Sequence, residues 1–372
     1  MNSNPSVMAV YFGKAPERPG GCEIYRVNVP FMHLKEFGRW DVAWTYFLDL
    51  YDQMTKRGMP WMLNALNHYD LFVIPRGISP DKIGLQGIKD FFDLLHRMNK
   101  RVIYEVDDDL TNRYRDFTSQ GVRNSGRIAS MADAVTVTTP YLAQLMRDES
   151  KRPQYVLPNT LDPDIWDIPV EYTGEHAITI LLSGSTSHEQ DWRVLENVLP
   201  RIMENEYDYP VKLHIAGFTP DYLRNIPRSE RIPGVNYQTY VNLVKDADIV
   251  LAPVDPADKF NLSKSPIKVI EGMGATRILP NGQLGGAACI ATRTPVYELA
   301  ITDGRNGVLV NHTEEAWYQA IDRMVRDEEK RLSLQAAGGK WVWSHHNIHD
   351  EWKRWDKAYR KVLERPANKL VR

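Results

Sequence analysis

Short apolar runs, rich in Val and Ile and almost unbroken by polar residues, recur along this 372-residue chain, and each is followed by a longer amphipathic stretch. Strands buried on both faces of a parallel sheet have this continuous rather than alternating pattern. In the first half the runs are Val7–Phe12, Asp70–Pro75, Arg101–Val106, Ala134–Thr138 and Tyr155–Leu157. In the second half they are Ala177–Leu182, Val211–Ala216, Ala247–Ala252, Ala287–Ala291 and Gly307–Val310. Helical periodicity lies between them, over Pro80–Met98, Pro140–Glu149, Gln190–Asn205 and Glu314–Val325, and again at the end over Gly339–Leu363. The alternation predicts an α/β fold with right-handed crossovers. It breaks once, at PNTLDPDIWDIPVEYTGEH, residues 158–176, which is rich in Pro and Asp and reads as a linker. At about 150 residues per domain the length fits two domains. The boundaries expected are 1–165, 166–345 and a terminal helical segment, 346–372, that returns to the first domain.

Composition removes several classes. The hydrophobic fraction is 43% and the charged fraction 25%, enough apolar material for two cores and too much for a disordered chain. Formal net charge is -2, so any recognition of phosphate must be local. Cys22 and Cys289 form no CxxC pair and imply no disulfide framework. The N-terminus lacks a basic n-region and an apolar h-region, and no apolar run reaches the roughly 18 residues of a spanning helix. A cytoplasmic protein is the expectation. The 10 Trp and 18 Tyr fall largely at helical positions, which suits packing better than sugar stacking.

Four places carry chemistry. The turn after the first strand, KAPERPGGCEIYR, holds Gly20 and Gly21, which let backbone approach an anion, and ends on Arg26, placed on the acceptor side. At the end of a buried strand stand Asp107, Asp108 and Asp109, suited to hydroxyls of a sugar or acceptor, to Mg²⁺ or Mn²⁺, or to capping a helix. Ligands of open α/β sheets bind at that edge. Ser183, Gly184 and Ser185 open a small-hydroxyl loop that suits phosphate oxygens or an ordinary βα turn. In DPADKFNLSKSPIKVIEGMG, Ser265 can cap a helix with Pro266 in its first turn, Lys264 stands just before it, and Lys268 and Glu271 share a face. A cation there neutralises a diphosphate and a carboxylate accepts from a ribose diol. Two clusters are weaker. His345, His346 and His349 lie in one helical stretch and read as surface histidines. The aromatic segment Phe37–Tyr51 reads as a core helix rather than a membrane stripe.

These strings resemble the retaining, nucleotide-sugar-dependent glycosyltransferases of the GT-B fold, the large group with a C-terminal E-x7-E donor motif. In the second half they are HIAGF, ADIVLAPVDPADKFNLSKSPIKVIEG, RTPVYELAITDGRNGVLV and AWYQAIDRMVRDEEKRLSL. In the first half they are GGCEIYRVNVPFMHL, YDLFVIPRG, VIYEVDDDL, ADAVTVTTPYLAQLM and VLPNTLDPDIW. The resemblance implies two Rossmann-like domains with parallel sheets facing a central cleft, donor on the second and acceptor on the first. It implies that Glu271 holds the donor ribose, that Lys264 and Lys268 face the leaving diphosphate, and that Gly20 and Gly21 lie near the donor phosphates. The position eight before Glu271 is Ser263, so the first Glu of the motif is missing, with Asn261, Ser263 or Asp258 as substitutes. The stretch 275–289 is longer than the usual connection.

The implied reaction is glycosyl transfer with retention and without a bound metal or other cofactor; His33 reads as a catalytic group on the acceptor side or as a satisfied structural histidine. A nucleotide-sugar epimerase or phosphorylase, a DxD-like metal site at Asp107–Asp109, and a glycan- or nucleotide-binding module without turnover stay open as alternatives. The acceptor is a glycan, lipid, protein or modified nucleic acid. Residues 351–372 hold eight Lys/Arg against three Asp/Glu, a solvated helix end or a contact for phosphate.

Overall fold

The computed structural model describes residues 4–12, 21–76, 84–111, 125–170, 177–234 and 236–366. Gly20, the start of the segment expected at Pro80, residues 171–176 of the linker and the tail from 367 lie outside the described residues. The chain divides into two units: residues 1–159 with 263–265 and 348–372, and residues 160–262 with 266–347.

The first unit is built on six parallel strands: β1 (Ser6–Tyr11), β2 (Asp41–Tyr46), β3 (Leu71–Pro75), β4 (Arg101–Val106), β5 (Ala134–Val137) and β6 (Gln154–Val156). Their order is β2-β1-β3-β4-β5-β6. β1 and β3 are buried along their whole length, as continuous apolar runs require. Helices Gly84–Arg97 and Pro140–Ser150 turn Phe91, Phe92, Leu142 and Met146 onto this sheet. Thr139 starts the second of them by accepting the Leu142 amide, with Pro140 in the first turn. The terminal helix Ile348–Leu363 belongs to this unit: Trp40 donates to Asp356 at 2.7 Å, and Tyr359 packs edge-on to Phe31 and Trp40.

The second unit repeats the plan. Its strands are β7 (Ile178–Gly184), β8 (Val211–Gly217), β9 (Ser229–Ile232) and β10 (Ile249–Ala252), followed by the hairpin β11 (Arg277–Ile278) and β12 (Leu284–Gly285), then β13 (Ala288–Thr292) and β14 (Val308–Val310). The parallel sheet runs β14-β13-β10-β7-β8-β9. Ile180, Leu182, Leu213, Leu251 and Ile290 form its core with Trp317 and Ile321 of the helix Glu314–Arg326. β7 and β8 end in register at Gly184 and Gly217, where Phe218 donates to the Gly184 carbonyl at 2.9 Å. Gly217 has φ +88°, and a Cβ there would come 2.3 Å from that carbonyl oxygen, so no other residue fits this strand end without strain.

Several expectations need correction. Phe37–Tyr51 is not one helix: Asp41–Tyr46 is the edge strand β2, paired in parallel with β1, and the helix Phe47–Arg57 starts after it. Val42, Trp44 and Thr45 favour extended backbone, and a half-exposed edge lacks the solid apolar signature. Gln190–Asn205 is a 3₁₀ segment, Asp191–Leu195, then an α-helix, Val198–Glu204. Gly339–Leu363 is two helices, Glu328–His345 and Ile348–Leu363, so His345 and His349 do not share a helix face. The stretch 275–289 contains the hairpin β11–β12. Among the described residues no helix is long and apolar enough to cross a membrane.

Candidate functional site

In the second unit, three elements meet at the C-terminal end of β7. The strand supplies Ser183, buried at its end. The helix Tyr237–Lys245 supplies Tyr240, one turn in from Asn236, whose side chain accepts the Thr239 amide and fixes the start. The helix Ile267–Gly274 supplies Lys268 and Glu271, three apart and therefore on one face. The Lys268 ammonium donates to Ser183 Oγ and to the Tyr240 hydroxyl, both at 3.2 Å, and sits 5.1 Å from the centre of the Tyr240 ring. Tyr240 in turn donates to Glu271 Oε2 at 2.6 Å. One phenol oxygen thus joins a cation to a carboxylate.

The electrostatics follow from burial. Desolvation lowers the Lys268 pKa, opposed by Glu271. Desolvation and the Glu271 charge push the Tyr240 phenol well up, so it stays protonated and keeps donating. A half-buried ammonium near a single carboxylate gains from an incoming anion, because the anion offsets the lost hydration. The constellation is therefore suited to a ligand that is polyanionic at one end and carries hydroxyls at the other.

The other expected residues divide. Gly184, half-buried, closes β7, and Ser185 is exposed and bonded to Ser187 at 2.9 Å. Asn261 is 2% exposed, and its amide nitrogen holds the turn after β10 through Asp191 Oδ1 (2.7 Å) and the Asp255 carbonyl (2.9 Å). Ser263, Lys264 and Ser265 group with the first unit. There the Ser263 hydroxyl accepts the Asp109 amide at 2.9 Å, and Ser265 Oγ accepts from Asn159 at 2.9 Å. Ser265 does not cap the helix at Ile267: Pro266 occupies that position and makes no side-chain bond.

In the first unit, Gly21 opens a short helical turn that continues through a π-helical segment, Ile24–Asn28, into Val29–Glu36. Arg26, expected to face an acceptor, is instead 2% exposed. Its Nε and Nη2 donate to Glu105 at 2.7 and 3.2 Å, and its Nη1 to the Leu157 carbonyl and Asn159 Oδ1 at 2.5 and 3.0 Å. Burial opposes the Arg26 charge and Glu105 sustains it. The aspartate run is engaged too. Asp107 and Asp108 both pair with Arg76 from the end of β3. Burial works against the Asp107 charge, but Arg76 and the Cys22 thiol hold its carboxyl below the usual range. Burial and Asp107 push the Cys22 thiol well up, so it is not a nucleophile. Asp109 caps Thr111 through its amide and hydroxyl. His33 is buried and donates from Nδ1 to the Val29 carbonyl at 3.0 Å.

Sequence reasoning missed Tyr240, Arg76 and the pair His188–Asp191. Tyr240 carries no local signal beyond its place in an amphipathic helix, and the fold alone brings it to Glu271. Arg76 was legible only as the residue ending a strand run.

Residues 177–327 match the family model described as glycosyl transferases group 1. The matched segment falls in the second unit apart from Ser263–Ser265. No curated protein sequence matches the chain. Solved structures do. Anabaena HepE in complex with UDP and glucose superposes with a TM-score of 0.66 at 12% identity, covering 96% of this chain and 100% of that one. Sucrose-phosphate synthase from Thermosynechococcus elongatus gives 0.64 at 13%, covering 97% and 99%. A glycosyltransferase from Rickettsia africae gives 0.62 at 12%, covering 97% and 99%. The chain has the GT-B fold. Within this GT-B chain the cluster Ser183–Tyr240–Lys268–Glu271 lies wholly inside the matched segment, at the strand end where open α/β sheets bind ligands.

Proposed function

We propose that the protein is a glycosyltransferase that moves a sugar from a nucleotide diphosphate sugar, bound by the second unit, to an acceptor. The carrying observation is the Lys268–Tyr240–Glu271 network inside the group 1 segment. In this reading Glu271 accepts from the ribose hydroxyls and Lys268 faces the diphosphate, with Ser183 beside it. Bond cleavage between sugar and diphosphate builds negative charge on the leaving oxygen, and a preorganised ammonium stabilises that charge more in the transition state than in the ground state. In this reading no bound metal takes part, and the pairing of Asp107 and Asp108 with Arg76 supports that for this carboxylate pair. Retention is the outcome implied by the resemblance in sequence. The fold neighbour holding UDP and glucose supports a uridine nucleotide as the first donor to try.

A thermal-shift panel of UDP-, GDP-, ADP- and dTDP-sugars tests the reading. Ligand at about 100 times its Kd stabilises by about 2.7 kcal/mol, a shift of several degrees. One nucleotide class is expected to raise Tm in a saturable way, and Glu271→Ala is expected to remove the shift. No response from any nucleotide sugar would overturn the proposal.

A further inference from the structure

A buried carboxylate next to this site is left unused by the reading above. Asp191 is 1% exposed and lies in the 3₁₀ segment that follows the Ser183–Ser187 loop. Its Oδ2 contacts His188 Nδ1 at 2.9 Å. Its Oδ1 accepts from the Asp255 amide at 2.9 Å and from Asn261 Nδ2 at 2.7 Å. One carboxylate therefore ties the loop after β7 to the turn after β10 and fixes an imidazole at the same time.

The imidazole is held in a defined pose. A carboxylate only accepts, so Nδ1 carries the proton and Nε2 is the ring's other polar position. The ring stacks on Trp192, with centroids 6.2 Å apart and planes at 10°. Its Cδ2 edge, next to Nε2, lies over the end of β7: a Cβ on Gly184 would sit 2.9 Å from His188 Cδ2 and 2.8 Å from Trp192. Glycine at 184 makes room for that edge. One residue back, the Ser183 hydroxyl is 3.2 Å from the Lys268 ammonium.

We infer that His188 is a diphosphate-binding residue of the donor site and that Asp191 positions it. The inference rests on the donor-site reading and names a contact that reading lacks. Residues 183–187 are Ser-Gly-Ser-Thr-Ser, so the loop offers hydroxyls and amides but no fixed cation. Lys268 brings one positive charge to this strand end, and a diphosphate carries more than one negative charge. An imidazole paired with a carboxylate at Nδ1 is stabilised as imidazolium when an anion meets Nε2, which makes it a second cation that forms on binding. Asp191 prevents the ring from rotating and compensates its charge.

Isothermal titration of the full chain with UDP, GDP, ADP and dTDP, and with uridine, guanosine, adenosine and thymidine, tests the inference. For the diphosphate that the wild type binds, His188→Ala is expected to raise Kd about tenfold and to leave the Kd of the matching nucleoside unchanged. Asp191→Asn is expected to act in the same direction on the diphosphate alone, and His188→Arg to restore most of the affinity. Equal weakening of diphosphate and nucleoside would mark a structural role and overturn the inference. So would an unchanged diphosphate affinity in His188→Ala, with the donor-site reading left standing. A wild type that binds none of the four diphosphates overturns that reading and this inference together.

Discussion

Lys268→Ala is expected to lower kcat by two to three orders of magnitude at saturating donor. The ammonium is half-buried, held by Ser183 and Tyr240, and lowered in pKa by desolvation. Such a cation gains most when charge on the leaving diphosphate is greatest, at the transition state. Loss of one preorganised group of this kind costs about 2.7–4 kcal/mol of barrier, or about a hundred- to a thousandfold in rate. Donor KM should move far less, because the ground-state diphosphate keeps its other contacts. The fold should hold, since the Tyr240 hydroxyl still donates to the buried Glu271 carboxylate. Lys268→Arg should fall between. Steady-state kinetics with a urea melt of each variant check this; a kcat within twofold of wild type would remove Lys268 from the mechanism.

The second large effect concerns stability. Glu105→Ala is expected to destabilise the first unit by about 3–5 kcal/mol, the usual cost of stranding one member of a buried ion pair. Arg26 and Glu105 are both 2% exposed, and Thr136 also bonds the carboxylate. Without Glu105, the guanidinium stays inside the unit with the Leu157 carbonyl and Asn159 as hydrogen-bond acceptors and the Trp355 ring 5.9 Å away. Domains are stable by about 5–15 kcal/mol in total, so this loss is a large share of it. The double variant Glu105→Ala, Arg26→Met should recover part of it, because no charge is left unpaired. Urea unfolding followed by tryptophan fluorescence measures both; a Glu105→Ala midpoint equal to wild type would refute the assignment of a structural role to Arg26.

Much of the architecture was legible because continuous Val/Ile runs mark strands covered on both faces. β4 is an example, with the same limits, Arg101–Val106, in sequence and structure. What escaped lies at edges. β2 is half-exposed and aromatic, and β9, Ser229–Ile232, is short and polar, so neither carries a solid apolar run. The site divides in the same way. Lys268 and Glu271 were readable from their spacing beside a strand end, because helical periodicity alone puts them on one face. Tyr240 was not, since only the packing of two helices joins it to a residue 31 positions later. Asp107 and Asp108 were placed correctly at a strand end, but their chemistry depends on Arg76, which the pairing of β3 with β4 brings beside them.

The most direct measurement of the central claim is product analysis with the donor that the thermal-shift panel selects, incubated with glycan, lipid, protein and nucleic-acid acceptors and followed by mass spectrometry. The account expects the mass of one acceptor to rise by one sugar residue, with one nucleoside diphosphate released per transfer. Recovery of an isomerised sugar, or saturable donor binding with neither transfer nor diphosphate release, would contradict it.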